Sequence, residues 1–137
     1  MSGMDSGPII KWQIDIADGA EVPFERNIYS IGLRAFYFKC PTSPNIPKVL
    51  HVCTEPNALN GTLWIGSILC GSCVRSICTG GSRDVSVMFG LDDVERYMIT
   101  LSYASKIGIR IYDEEGISLV GTGHCLFDVV MDNSNYQ

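Results

Sequence analysis

The chain has 137 residues, 46% hydrophobic and 18% charged, a size at which one domain buries roughly 65–70% of its unfolded surface. A core of that size stands without staples, so the six cysteines need neither disulfides nor zinc to account for them. Ten basic and fifteen acidic residues give a net charge of −5, and the basic ones are scattered singly, which argues against nucleic acid or an anionic membrane surface as a partner.

Residues 1–8 are small and polar and read as a flexible leader to one β domain over 9–131, with 132–137 a frayed tail. Ile10, Trp12, Ile14 and Ile16 alternate with Lys11, Gln13 and Asp15, a period of two that predicts a strand with one buried face, ended at Asp18-Gly19. Ile28 to Lys39 predicts a long strand with Tyr29, Ile31, Leu33, Ala35 and Tyr37 on one face. The opposite face carries Arg34, Phe36 and Phe38, so the second half is apolar on both sides. Such an end is either covered by another layer or open to a partner, which makes Phe36, Tyr37 and Phe38 the candidate interface.

Three prolines make Cys40 to Pro47 a loop, and Val49 to Cys53 follows as a short strand. Asn60-Gly61 reads as a turn. Thr62 to Leu69 and Val74 to Cys78 are expected as two strands, or one long strand bent at Cys70-Gly71-Ser72-Cys73. This region holds three cysteines and one charge, Arg75. Gly80-Gly81-Ser82 turns the chain into a strand over Val85 to Phe89, and Asp92 to Glu95 allows one helical turn near 92–96. The alternation through Tyr97–Tyr103 and again through Ile107–Ile111 predicts a hairpin. A turn at Asp113–Gly116, a strand at Ile117–Val120 and a last strand at His124–Met131 complete the chain.

About nine short strands without a long helical pattern predict an all-β fold, a single-domain antiparallel β-sandwich of jelly-roll-like character or a small barrel. There is no basic-then-apolar leader, the second residue is Ser2 where myristoylation requires glycine, and no prenylation cysteine stands at the C-terminus, so neither export nor lipidation is expected. The longest apolar stretch is broken by Gly66, Gly71 and Arg75 and is too interrupted for a spanning helix. A cytoplasmic or nuclear protein with free thiols is the expectation.

Three chemistries compete at the thiols. Cys53-Thr54-Glu55 followed by Cys70-x-x-Cys73 partly resembles the ligand set of the zinc deaminases, with departures: Leu69 replaces proline, the spacing is short, and no helix carries the ligands. A structural zinc would instead join Cys70 and Cys73 to two of His51, Cys53, Cys78, His124 and Cys125. A redox Cys70-x-x-Cys73 lacks the helix N-terminus that lowers a thiol pKa. The ordinary reading, buried free thiols with no cofactor, outweighs all three. No triad is selected, because there is no G-x-S-x-G and nothing ties His51 or His124 to a nucleophile.

The expected function is therefore a non-enzymatic structural or interaction protein that self-associates or binds a protein partner, of the kind that viral matrix or coat subunits represent. The alternatives are a zinc enzyme or zinc-stabilised module using Cys53, Cys70, Cys73 and Cys125, and a β-barrel binding a small ligand or glycan.

Overall fold

A computed structural model of the chain describes residues 10–24, 28–40, 45–55, 62–65, 68–102 and 105–131, with the backbone alone at 62–65, 68–71 and 102. The alternating segment Ile10–Asp15 forms β1, with Trp12 and Ile14 buried. Ala20–Glu21 (β2) is too short to show a period. β3 runs Ile28–Lys39 and β4 Val49–Glu55. β5 (Thr62–Ile65) and β6 (Ile68–Cys78) pair antiparallel, and β7 is Asp84–Met88. A short helix α1, Leu91–Arg96, precedes β8 (Ile99–Ser102), β9 (Lys106–Tyr112), β10 (Ser118–Leu119) and β11 (Thr122–Met131).

These strands form two antiparallel sheets, a sandwich with no closed barrel. The first has the order β1-β11-β3-β7, with β8 on β3 beside β7. The second has the order β10-β9-β4-β6-β5, with β2 on β9. Trp12, Tyr29, Phe36, Phe38 and Phe127 from the first sheet meet Leu50, Val52, Val74, Ile109 and Ile111 from the second in one core. Tyr29 is fully buried and its hydroxyl has no hydrogen-bond partner among the described residues; burial pushes its pKa up to about 12.

Bulges bear on two sequence expectations. In β3 the pairing with β11 shifts between Leu126 and Phe127, which face Ala35 and Leu33, so Arg34 is an extra residue. Tyr29, Ile31 and Leu33 point inward before the bulge, and Phe36 and Phe38 point inward after it. The apparent two-sided apolarity is thus one buried face whose parity changes. β6 is one strand from Ile68 to Cys78, and its pairing with β5 shifts between Thr62–Ser72 and Trp64–Leu69, an extra residue at Cys70-Gly71 where the sequence placed a bend. A second irregularity, not expected from the sequence, falls at Val74, between the pairs Cys53–Cys73 and Val52–Arg75.

The expected hairpin at Tyr97–Ile111 is also corrected, because β8 pairs with β3 in the first sheet and β9 with β4 in the second. Alternation specified the inward faces, Ile99 and Leu101 against Ile107, Ile109 and Ile111, but not the partner of either strand. The turns at Gly80-Gly81 and at Asp113–Gly116 are as read: the three glycines have positive φ, and the Asp113 carboxylate accepts the Glu115 and Ile117 amides. Helix α1 starts from Gly90 without a side-chain cap, so Asp92 sits in its first turn and does not cap it. It packs on Gly32, where an added Cβ would lie 2.7 Å from Val94 Cγ1. The Asn60-Gly61 turn, the leader and the tail lie outside the described residues.

Candidate functional site

The second sheet's outward face gathers several reactive side chains. Along β4, Leu50, Val52 and Thr54 are buried and register with the inward residues of β9, which leaves His51, Cys53 and Glu55 on the outside. Across the strand pair, Ser76 stands opposite His51 and Cys73 opposite Cys53. The bulge at Val74 makes this possible, since without the extra residue Cys73 and Arg75 would share one face.

His51 Nδ1 and Ser76 Oγ are 2.6 Å apart, and Cys73 Sγ lies 3.7 Å from the same Ser76 oxygen. Cys73 Sγ lies 3.4 Å from the Arg75 carbonyl, and Cys53 Sγ 3.9 Å from the His51 carbonyl. A hydrogen bond from the Cys53 thiol, aided by Ser76, brings the Cys73 pKa down to about 7 against the opposing effect of burial. Burial lowers the His51 pKa, and the charges of Asp113 and Glu114 oppose that. The site is therefore a half-buried acidic thiol backed by a buried second thiol, a hydroxyl and an imidazole.

The four sequence-nominated zinc candidates do not come together. Cys53 and Cys73 meet on the outside of the second sheet, whereas Cys125 is fully buried on the inward face of the first, where burial raises its pKa. The Cys70 side chain lies outside the described residues; its backbone stands three residues before Cys73 on the same strand. Among the described residues no group of His, Cys, Asp and Glu has the geometry to hold a metal ion. Glu55, the proton shuttle of the deaminase reading, is paired with Arg110.

The second histidine sits elsewhere. His124 lies on the outward face of the first sheet in a row with Asp15 and Tyr37, and its ring is 5.8 Å from that of Tyr37. Phe36 and Phe38 are 1% and 0% exposed, so the candidate aromatic interface is reduced to half-buried Tyr37, for the reason the Arg34 bulge supplies. Gly121 and Gly123, with no helix after them, serve packing: a Cβ on Gly123 would collide with the Tyr37 carbonyl.

Exposed apolar residues collect at another corner. Met88, Leu91 and Tyr97 are 79%, 44% and 46% exposed within ten residues of chain at the end of β7 and around α1. Arg75 reaches this corner from the second sheet, its guanidinium 4.2 Å from the ring centres of both Phe89 and Tyr97. The sequence identified the thiols, but Ser76 and the corner were missed. Ser76 carries no signal until the register places it beside His51. Two open clefts of about 600 and 650 Å³ lie at the β2/β9/β10 end and beside Pro47; neither is the enclosed apolar cavity that a ligand-binding barrel would offer.

No protein family, curated protein or solved structure matches this chain. No helix among the described residues is long and apolar enough to cross a membrane.

Proposed function

We propose that this chain is a non-enzymatic interaction protein that pairs with a second copy of itself along the β7 edge. The observation that carries this reading is the edge itself. Among the described residues β7 pairs with β3 alone, and Val85–Met88 holds no lysine, proline or bulge of the kind that blunts open edges. The strongly exposed Met88 lies at its end, next to Leu91 and Tyr97. Antiparallel pairing of two β7 strands about Ser86 sets Val85 against Val87 and Asp84 against Met88, so no like charges are opposed. The first sheet would continue from one copy into the other, with the α1 corners flanking the seam.

A matrix- or coat-like role would need this pair to repeat through a further interface, so the size of the oligomer separates a dimeric module from a lattice subunit. The thiols of Cys40, Cys53, Cys73, Cys78 and Cys125, none of them in a disulfide, support a reducing compartment, cytoplasm or nucleus.

Sedimentation across a wide concentration range tests the proposal. A monomer–dimer equilibrium is expected, and Ser86→Lys, which places two lysines face to face at an exposed position, should abolish the dimer without unfolding the monomer. A strict monomer at the highest attainable concentration, or a dimer indifferent to Ser86→Lys, overturns the assignment.

A further inference from the structure

We propose that Cys53 and Cys73 form a reversible cross-strand redox site that takes small-molecule disulfides of the glutathione class, with Cys73 as the attacking thiol and Cys53 as the resolving one. The two residues are directly opposed on antiparallel β4 and β6. Opposed residues have Cα atoms about 4.5–5.5 Å apart, inside the roughly 4.4–6.8 Å range that a disulfide spans. Their thiols already share a hydrogen bond. The C-x-x-C that draws attention in the sequence is a different pair, three residues apart along one strand, whereas Cys53 and Cys73 face each other directly across β4 and β6. Cys125 is sealed in the core, and Cys78 stands exposed at the end of β6.

Exposure assigns the roles. Cys73 is half-buried and open to a small reagent, while Cys53 is 1% exposed and meets only what Cys73 has already captured. Ser76, held by His51, lies 3.7 Å from the Cys73 sulfur and stabilises its thiolate.

In the first step the Cys73 thiolate attacks one sulfur of oxidised glutathione. A mixed disulfide forms, and the departing glutathione thiolate takes up the proton that Cys73 released. In the second, the Cys53 sulfur attacks the Cys73 sulfur, the second glutathione leaves, and the Cys53 proton goes to it. The protein dithiol loses two electrons, and one small disulfide becomes two thiols. The new bond would fasten β4 to β6 beside the Val74 bulge.

The test incubates the reduced full chain in glutathione buffers of stepped redox ratio, quenches with acid, alkylates and maps the peptides by mass. A Cys53–Cys73 cross-link that excess reduced glutathione reverses is expected. Cys53→Ser should trap glutathione on Cys73, and Cys73→Ser should abolish both the cross-link and any adduct on Cys53. Cys78 is the internal comparator, with Cys73 modified at least about fivefold faster at neutral pH. Preferential modification of Cys78, or a disulfide mapped to Cys70 or another partner, overturns the proposal. The wild-type map alone decides if a variant fails to fold.

Discussion

Two bulges, at Arg34 in the first sheet and at Val74 in the second, serve opposite ends. At the first, the inserted Arg34 turns outward, where its guanidinium lies 3.6 Å from Asp128 and donates to the Phe89 carbonyl at 3.2 Å. Lys11 reaches the same carboxylate from β1, so a fully buried aspartate on the central strand β11 is held between two cations. At the second, the inserted Val74 turns inward to the core, and its neighbours Cys73 and Arg75 go to opposite sides of the sheet. The first bulge closes a surface by neutralising it; the second leaves a reactive thiol accessible. A register shift near a polar group is therefore no sign of a working site unless it also leaves that group open to solvent.

The largest effect should break the first bulge's account of β3. If Arg34 changes the parity of the strand, Phe38→Ala removes a fully buried ring and costs about 3–5 kcal/mol, whereas Tyr37→Ala removes a half-buried one and costs about 1 kcal/mol. An uninterrupted alternation running from Tyr29 would give the reverse order. Urea unfolding of both variants, with unchanged m-values, distinguishes the two.

How much of this was legible in the sequence depends on the range over which each feature is encoded. The β1 alternation, the bounds of β3, the Gly80-Gly81 and Asp113–Gly116 turns, the α1 turn and the inward set Cys125, Phe127 and Val129 are local, set by residues two or three apart. Strand partners are not local, and the assignment of β8 and β9 to different sheets followed from neither pattern. The bulges at Arg34 and Val74 hid because one inserted residue resets the period of two, so that β3 looked apolar on two faces, whereas the irregularity beside Gly71 was legible from the glycine itself. The site was half legible. Cys53, Cys73 and His51 were singled out, but the apparent pair was Cys70 with Cys73, because a short motif is visible along the chain and a cross-strand pair is not.

The second bulge has a signature in the pH dependence of stability. Cys73 is lowered from 9.0 to about 7 in the folded chain, so between those values the unfolded chain binds more protons and stability rises with pH. The contribution is complete above about pH 9 and is lost as pH falls through about 7. Two pK units correspond to at most about 2.7 kcal/mol, and solvent screening at this half-exposed group reduces that to about 1 kcal/mol. Cys40 and Cys125 act oppositely: burial raises both, and their contribution is lost as the pH climbs past about 9. His51 sits below its ordinary value and favours the fold as pH rises toward about 6.5. Urea midpoints from pH 6.5 to 9 should therefore climb in the wild type and flatten in Cys73→Ser. An equal climb in both would remove the special standing of Cys73.

The smallest effect concerns the other neighbour of Val74. Arg75 was the one charge in the most apolar stretch of the chain, and the bulge turns it toward the core side, where its guanidinium escapes burial by stacking on Phe89 and Tyr97 at the edge of the sandwich. It thereby ties the second sheet to the segment around α1, next to the proposed β7 seam. Tyr97→Leu keeps the apolar contact and removes one of the two aromatic faces, for an expected cost of about 0.5 kcal/mol. A double-mutant cycle with Arg75→Met should return a coupling energy of the same size and sign, whereas a cycle pairing Tyr97→Leu with Cys73→Ser should return none. Coupling in the second cycle would mean that the two sides of the bulge act as one unit. The thiol site and the apolar corner would then be a single device, with oxidation at Cys73 felt at the edge where the second copy is proposed to pair.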